Sequence, residues 1–544
     1  MYECPSCGAG LEFNPKTQML ECKYCNSTFD PKDLEKLHLK DAKGDKGFSV
    51  ENSKDENGNE KVDVYEAIVY RCTQCGAELI TTDETIATFC SYCGSSAVLE
   101  KRNETKAAPS YIIPFTKSKE ECEQAYKSKL KRAFFAPSDM LKTQQVEKIR
   151  GIYMPYWVYS FDKDGEQTNT GSRYSHRIGD YVYYDDYTIT TNIKAGCDGV
   201  SHDAAANFAD NLSETIAPFS MKEKKDFSPT YLSGFYADSE DVNGEVYREE
   251  CRQIANEQAA NELKKDSTYS KYGCKPQVSM QPKDTKLGLF PVYFLATRNK
   301  AGDRISYAVV NGQTGKVAAE IPIDFKKYLI ATLILSVPLF FLLNGFLTLT
   351  PTKIIIASII FNIISLIISS VQLNKVIARE KMIDDKGNVS KNGNKNDSSN
   401  VTKNKKTVVK RSSSSTMLLA FMVFIIMFSF LPIMKNVGKT GLFIIMLIFV
   451  AICTIFTFVN NRKQKQYKAK MSEKAPKMFK PLIGLLIAVA IFIWNPVSDV
   501  YYYGGAIASI LMTIWSFSDL IKEINLLTTR KLPQLGRRGG DENA

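Results

Sequence analysis

One spacing of four cysteines occurs twice in this chain and constrains its fold more than any other feature. Each copy consists of two Cys-x2-Cys pairs that are separated by 14 residues. Zinc prefers four tetrahedral ligands, and two such pairs on the turns of one hairpin supply four thiolates. The pattern therefore predicts two small β zinc ribbons, each holding one structural zinc ion. The ligands are Cys4, Cys7, Cys22 and Cys25 for the first ion, and Cys72, Cys75, Cys90 and Cys93 for the second.

The two copies also match outside the cysteines, at an offset of 68 residues. Gly8 and Gly76 follow the second cysteine of each copy, where a tight turn favours a residue free to take positive φ. Such internal repetition indicates a repeated structural unit. The other matching pairs are Tyr2 and Tyr70, Leu11 and Leu79, and Tyr24 and Tyr92.

A redox dithiol, disulfide bonds and a rubredoxin-type iron centre are the alternatives to zinc. Paired cysteine turns with a short hairpin between them favour a closed structural site. Such a site leaves no open coordination position, so we assign the metal no catalytic role. Thiolate ligands fit a reducing compartment, and they indicate that the amino-terminal part is cytosolic.

Charge divides the chain into an acidic amino-terminal part and a basic carboxyl-terminal part. Residues 1–325 contain 41 Lys and Arg against 49 Asp and Glu, a net charge of −8. Residues 326–544 contain 29 against 10, a net charge of +19. Because non-specific nucleic-acid binding needs a basic face, nucleic acid is disfavoured as a partner of the amino-terminal part.

Six apolar runs of near-membrane length follow residue 325. A helix needs about 20 apolar residues to span a bilayer. The runs therefore predict an all-α membrane domain of about six transmembrane helices, with the lipid bilayer as a partner. They comprise residues 328–349, 354–373, 417–434, 441–459, 481–494 and 503–518, of which the fifth is the shortest.

The distribution of basic residues predicts the topology of these runs. Residues 375–416 carry eleven Lys and Arg, and residues 460–480 carry eight, whereas the other links carry few. By the positive-inside rule, the amino terminus, both basic loops and the carboxyl terminus lie in the cytosol. The prediction is a multi-pass protein of the cell membrane.

The region between the second ribbon and the apolar runs predicts an α+β domain. Ser118 and Glu121 form a capping box ahead of a helical pattern that continues to Phe134. A second helical pattern begins near Tyr247, and Asn311-Gly312 is a hairpin-turn signal. The whole chain is thus predicted to be multidomain. In chain order, it has a zinc ribbon (1–41), a flexible linker (42–61), a second ribbon (62–108), an α+β cytosolic domain (109–325), a transmembrane hairpin (326–374), a basic disordered loop (375–416), a second hairpin (417–459), a basic loop (460–480), a third hairpin (481–520) and a cytosolic tail (521–544).

The sequence contains no recognisable catalytic constellation. His38, His176 and His202 lie in no metal or nucleophile motif, which favours solvated or structural roles. Gly438-Lys439-Thr440 resembles the end of a phosphate-binding loop, but Ile433 stands where that motif requires its first glycine. We therefore predict no enzyme, no catalytic residues and no small-molecule substrate.

Several short motifs resemble those of a known family. They are Cys4–Gly8, Gly151–Trp157, Ile216–Phe219, Tyr231–Phe235 and Asn311–Lys316. With these motifs, the chain resembles bacterial, Firmicutes-type membrane-anchored zinc-ribbon proteins of the transcription factor IIB (TFIIB) type, which are often labelled primosomal or helicase-like. This resemblance implies a membrane anchor for envelope-stress proteins of the phage-shock and flotillin-like types. The helicase label is not supported, because the chain lacks a phosphate-binding loop.

These observations predict a non-enzymatic integral membrane scaffold. Its zinc-stabilised cytosolic head would recruit a cytosolic or membrane protein partner. A transporter or channel that is regulated by the zinc-ribbon head is the alternative. A membrane-tethered nucleic-acid binder is a third hypothesis, which the acidic head disfavours.

Overall fold

A computed structural model describes most of the amino-terminal part of the chain and several of its apolar helices. The described residues are 2–34, 64–81, 90–95, 99–205, 208–299, 304–346, 350–381, 454–455, 458 and 479–531. The predicted linker 42–61, the apolar run 417–434 and most of the run 441–459 lie outside them, as does Gly438-Lys439-Thr440.

Fifteen strands and nine α-helices occur in the described residues. The strands are β1 (Leu11–Asn14), β2 (Met19–Cys22), β3 (Thr28–Phe29), β4 (Val64–Cys72), β5 (Glu78–Thr81), β6 (Leu99–Ala107), β7 (Tyr111–Ile112), β8 (Arg150–Ile178), β9 (Tyr181–Asp203), β10 (Lys225–Asp226), β11 (Tyr236–Ala237), β12 (Gln281–Arg298), β13 (Arg304–Asn311), β14 (Val317–Ala319) and β15 (Arg530–Lys531). The helices are α1 (Lys119–Arg132), α2 (Thr143–Val146), α3 (Asp210–Ile216), α4 (Glu245–Leu263), α5 (Ser267–Lys271), α6 (Phe325–Phe346), α7 (Pro351–Lys381), α8 (Phe479–Trp494) and α9 (Asp499–Leu527).

The first ribbon is a separate three-stranded antiparallel sheet in the order β1-β2-β3. It packs on the rest of the head through both apolar and polar contacts. The ring of Phe13 meets that of Tyr231 edge to face at 5.3 Å, and Phe13 N donates to Ser233 O. Gln18 Nε2 donates to Phe115 O at 2.7 Å. The first ribbon is therefore docked on the head.

The second ribbon is part of a 12-stranded mixed sheet, whose main path runs β10-β7-β12-β8-β11-β5-β4-β6. Its strand β5 pairs with β11 through Ile80 and Ala237, and β11 continues in parallel onto β8. The prediction of two independent small ribbons beside an α+β domain is corrected here. The strands of the second ribbon join the larger sheet because that sheet pairs with the hydrogen-bonding groups at their edge and covers their apolar side chains.

Strands β8 and β9 form a long hairpin that leaves the sheet. Up to Asp162, β8 is also paired with β12, and beyond that point it forms a ladder with β9 alone. Helix α4 covers the base of the hairpin, where Trp157 Nε1 donates to Val242 O at 2.7 Å. Further out, the hairpin is supported by the bridge between Gly171 and Cys274 and by the ring contact of Tyr187 with Tyr272 at 4.7 Å. Residues 173–186, which we call the hairpin tip, therefore project from the head.

Local sequence signals predicted two helices of the head correctly. The side chain of Ser118 caps α1, and the carboxylate of Glu121 accepts a hydrogen bond from the backbone amide of Ser118. The second predicted helix is α4, which buries Tyr247, Cys251 and Ala255. Asn311-Gly312 is the turn between β13 and β14, as expected.

The prediction of an all-α membrane domain of about six transmembrane helices is wrong. Among the described residues, two helices are long and apolar enough to cross a membrane, Pro351–Gln372 within α7 and Asp499–Leu527. The run 481–494 forms α8, which has 16 residues. A helix of that length rises about 24 Å, less than the roughly 30 Å of a bilayer core.

Helices α7, α8 and α9 pack together around polar contacts. Asn362 Nδ2 donates to Ser509 Oγ at 2.7 Å, and Thr513 Oγ1 donates to Asn362 Oδ1 at 3.1 Å. Gly484 permits this approach, because a Cβ there would lie 2.3 Å from Asn362 Oδ1. Asn362 therefore joins α7 to α9 through its side-chain amide.

The carboxyl end of α9 is joined to the sheet of the head. Strand β15 pairs with β13, so Arg530 lies opposite Ile305. Arg304 is buried, and its guanidinium donates to Thr529 Oγ1, to Thr529 O and to Leu526 O. Asn525 exchanges two hydrogen bonds with the backbone of Ile323, just before α6. We call this set of contacts the α9 clasp.

We predict that Asn362→Ala weakens the packing of α7 against α9. Hydrogen bonds between apolar helices contribute about 1 kcal/mol, and this substitution removes at least two. The free energy of unfolding should therefore fall by about 1–2 kcal/mol in an SDS titration of the detergent-solubilised protein. Phe361→Ala is the matched control, because Phe361 is exposed. An equal loss in both variants would contradict the packing role.

Candidate metal centres

The structure brings each predicted set of four cysteines together. In both sets, the four sulfur atoms lie within 4.8 Å of one another. In the first set, the Sγ atoms of Cys4 and Cys25 are 3.5 Å apart, as are those of Cys7 and Cys22. In the second, the corresponding distances are 3.9 Å from Cys72 to Cys93 and 3.7 Å from Cys75 to Cys90.

These distances fit a tetrahedral metal ion. With Zn–S bonds of about 2.3 Å, the sulfur atoms of a regular tetrahedron lie about 3.8 Å apart. The observed separations of 3.5–3.9 Å lie around that value. Both sets can therefore hold one metal ion each, and four thiolates are the ligand type that zinc favours in structural sites.

All four cysteine turns share one backbone geometry. In each, the amide of the residue four positions on donates to the carbonyl of the first residue, as from Gly8 to Cys4 and from Gly76 to Cys72. The predicted glycines have φ of 74° and 76°. The sequence analysis missed the equivalent positions of the second turns, Asn26 with φ 57° and Gly94 with φ 64°. Asn tolerates this left-handed conformation better than most residues, so its presence there was a usable signal.

The two sets differ in their exposure. Cys7 and Cys25 of the first set reach the surface, whereas all four cysteines of the second are buried. The repeat partners Tyr24 and Tyr92 show the same contrast, with 83% and 1% of their surface exposed. The second set thus belongs to the core of the head, and the first to its periphery.

Hydrogen bonds favour the thiolate form of some ligands. Cys25 Sγ lies 3.2 Å from Ser27 Oγ, and this contact lowers the pKa of Cys25 to about 6. The neighbouring sulfur of Cys90 lowers the pKa of Cys72 to about 6. Other thiols of the same sets shift the opposite way, since the pKa values of Cys7 and Cys75 are raised. The four sulfurs of each set therefore share protons, which a bound metal would displace.

Buried polar contacts connect the second set to the remote strands of the sheet. The Tyr92 hydroxyl donates to the Asp238 carboxylate next to β11. Burial raises the pKa of Asp238 to about 7. Arg298 Nε donates to Cys93 O at 2.6 Å, and the hydroxyl of Tyr307 donates to Tyr92 O at 2.9 Å. A metal ion in the second set would therefore stabilise the contact between β12, β13 and the ribbon.

Sequence reasoning missed one further group of potential ligands. His202, Asp203 and Asp210 are buried together, with one donor atom from each within 4.8 Å of the others. Their spacing matches no familiar metal motif. The His-Asp dipeptide at the end of a strand pattern was the available signal.

Comparison with known proteins yields one similar chain. It is an "Uncharacterized protein YdjG" of Bacillus subtilis (strain 168), which is 28% identical over 342 residues. The alignment covers 60% of this chain and 91% of that relative. No family model matches the chain, and the solved structures contain no significant match. The cysteine clusters fit zinc ribbons on their geometry alone.

We predict that Cys72→Ser combined with Cys75→Ser removes one metal ion from each chain. The variant should contain one zinc ion fewer than wild type, because two ligands cannot hold the second ion. Inductively coupled plasma mass spectrometry on the purified protein measures this. Membrane insertion should persist in the variant. Cys197→Ser, outside both sets, is the control and should retain the wild-type metal content; a wild type that binds no metal would contradict the assignment.

Proposed function

We propose that this protein is a non-enzymatic membrane scaffold whose zinc-stabilised head recruits a protein partner at the cytosolic face. The observation that carries the proposal is the α9 clasp, which joins an apolar helix of membrane length to the central sheet of the head. An enzyme would need a reactive group on a cleft. A recruitment scaffold needs a surface that is held at a fixed position relative to the membrane.

In this proposal, α7 and α9 cross the bilayer with their carboxyl ends towards the head. Contacts between Ser365 and Ser516, and between Asn362 and Ser509, are consistent with parallel helices. Lys480 pairs with Asp519 at 2.7 Å, so α8 begins beside the carboxyl half of α9. The basic segment 375–416 then begins, and the basic segment 460–480 ends, on the same side of the bilayer as the head. The positive-inside rule assigns that side to the cytosol.

The contacts between the head and α9 favour a scaffold whose head is held in a fixed orientation over a head on a flexible tether. Besides the contacts of Arg304, Arg530 forms an ion pair with Glu320 at 2.7 Å and donates to Asn211 Oδ1 at 2.9 Å. Both partners of the ion pair are about nine-tenths buried. Removing one partner of such a pair is strongly destabilising, so the head is expected to keep a fixed orientation on the helix.

The hairpin tip is the surface that we propose for the partner. His176 stacks on Tyr183 at 4.7 Å, and Tyr174 meets Tyr184 edge to face at 6.4 Å. Tyrosine and arginine are enriched in protein interfaces, and an exposed apolar patch marks an interaction site. The large exposed apolar and aromatic side chains of the tip are Tyr174, Ile178, Tyr181, Val182, Tyr183 and Tyr184.

We also propose that the chain is one of the bacterial membrane-anchored zinc-ribbon proteins of the TFIIB type. The two zinc-ribbon geometries and the bacterial relative support this assignment. The partner would then be a protein of the envelope-stress type that the family resemblance implies. The acidic charge of residues 1–325 argues against nucleic acid.

We expect substitutions in the hairpin tip to abolish recruitment. Full-length tagged protein is purified from gently solubilised membranes, and bound proteins are identified for wild type and for Tyr181→Ser with Tyr184→Ser. A partner that is captured by wild type should be lost, because the variant removes two exposed aromatic side chains from the tip. Tyr24→Ser with Phe134→Ser is the matched control, with two exposed aromatics elsewhere.

The same experiment distinguishes the alternatives. Loss of the partner in the control pair alone would move the recruiting surface away from the tip. Absence of a specific partner in every sample would contradict the scaffold, and solute transport by the helices would become the function to test.

A further inference from the structure

A buried cluster of one histidine and two aspartates lies where the long hairpin meets the sheet. His202 and Asp203 are the last residues of β9, and Asp210 is the first residue of α3. Their exposed fractions are 6%, 0% and 5%. One donor atom from each lies within 4.8 Å of the other two. Three ligand-type side chains from two elements thus converge in the interior of the protein.

Neighbouring groups hold these side chains in fixed orientations. The ring of Tyr247 stacks on that of His202 at 3.6 Å with 10° between their planes. The hydroxyl of Tyr247 donates to Asp210 Oδ1 at 3.3 Å, and Ser213 Oγ donates to Asp203 Oδ1. Hydrogen bonds from outer groups to ligating carboxylates are typical of metal sites, where they orient the ligands.

A further buried hydroxyl faces the same place. Tyr156 lies directly opposite Asp203 in the register of β8 and β9, so the two side chains share one face of the sheet. It is 2% exposed, and among the described residues its hydroxyl has no hydrogen-bond partner of normal geometry. The same hydroxyl also lies close to Ser213 and Asp203. A buried hydroxyl without a well-formed hydrogen bond calls for an explanation, and a bound water molecule or ion is one.

The charge of the cluster is compatible with a bound cation, and His202 Nδ1 lies 3.2 Å from Asp203 Oδ1. His202 is the one basic member of the triad, and it supplies at most one positive charge against two carboxylates. Buried carboxylates are normally paired with cations or coordinate metals. A divalent ion at this position would neutralise both of them.

We propose that His202, Asp203 and Asp210 bind a third divalent metal ion, distinct from the two four-cysteine sites. One imidazole and two carboxylates form a nitrogen–oxygen ligand set that suits first-row dications such as Mn²⁺, Fe²⁺ or Zn²⁺. The Tyr156 hydroxyl is placed to contact the ion or a water molecule bound to it. Because all three ligands are buried, the ion has a structural role. It joins the end of β9 to α3 and, through Tyr247, to α4.

Metal content of the full-length protein in detergent tests this proposal directly. The protein is incubated with excess ZnCl₂ and MnCl₂ and then desalted, and zinc and manganese are counted per chain. Wild type should retain three ions in total. Asp210→Asn should retain two, because the amide is a weaker ligand and carries no charge. Asp164→Asn, at an exposed aspartate, is the control and should retain three.

A second measurement keeps the test decisive if Asp210→Asn does not fold. Mn²⁺ in solution gives a six-line electron paramagnetic resonance signal that is lost on tight binding. When Mn²⁺ is titrated into wild type, about one equivalent of this signal should be lost. If zinc already fills the third site, no signal is lost, and three zinc ions are counted instead. A total of two ions in wild type would overturn the proposal and leave the cluster as a hydrogen-bond network. So would equal metal content in Asp210→Asn and wild type.

Discussion

The burial of the Arg304 guanidinium is the interaction on which the arrangement of this protein depends. The side chain is 4% exposed, and its donors are directed at Thr529 and at Leu526 O. A buried charge is tolerated only while its hydrogen bonds are made. Strand β13 therefore cannot separate from the end of α9 without breaking three hydrogen bonds of that buried charge. The position of the head, and the reach of its hairpin tip, follow from this constraint.

The second cysteine set lies in the same sheet as the α9 clasp and close to it. Tyr307 links the two, because its hydroxyl donates to Tyr92 O and its ring lies 5.7 Å from the Arg530 guanidinium. A ribbon of about 30 residues has too little core to fold alone, so a bound metal would supply its folding free energy. The first set lies on an outer sheet that docks through Phe13 and Gln18. We infer that loss of metal from the second set perturbs the head more than loss from the first.

The features that sequence predicted correctly are local. Cysteine spacing predicted that the eight cysteines form two groups of four, and the need for positive φ identified Gly8 and Gly76. The capping box of Ser118 and the helical pattern from Tyr247 also gave real helices. Each of these patterns involves residues that are close together in the sequence.

The features that the sequence analysis missed depend on contacts between residues that are far apart along the chain. The pairing of Ile80 with Ala237 joins the second ribbon to the sheet, and Arg304 meets Thr529 across 225 positions. No local pattern specifies such contacts. The six-span membrane domain failed because hydropathy counts apolar runs without fixing helix length, as α8 illustrates. The triad of His202, Asp203 and Asp210 escaped notice because the turn of the chain, not a motif, brings it together.

Hydrogen–deuterium exchange in Arg304→Gln tests most directly whether the head and the apolar helices form one unit. In the full-length protein, peptides that cover residues 304–311 and 524–531 should both exchange faster than in wild type, on the order of tenfold, because each loses its partner. Arg177→Gln, at an exposed arginine of the hairpin tip, should leave both peptides unchanged. Unchanged exchange in Arg304→Gln, or faster exchange in one peptide alone, would contradict the coupling.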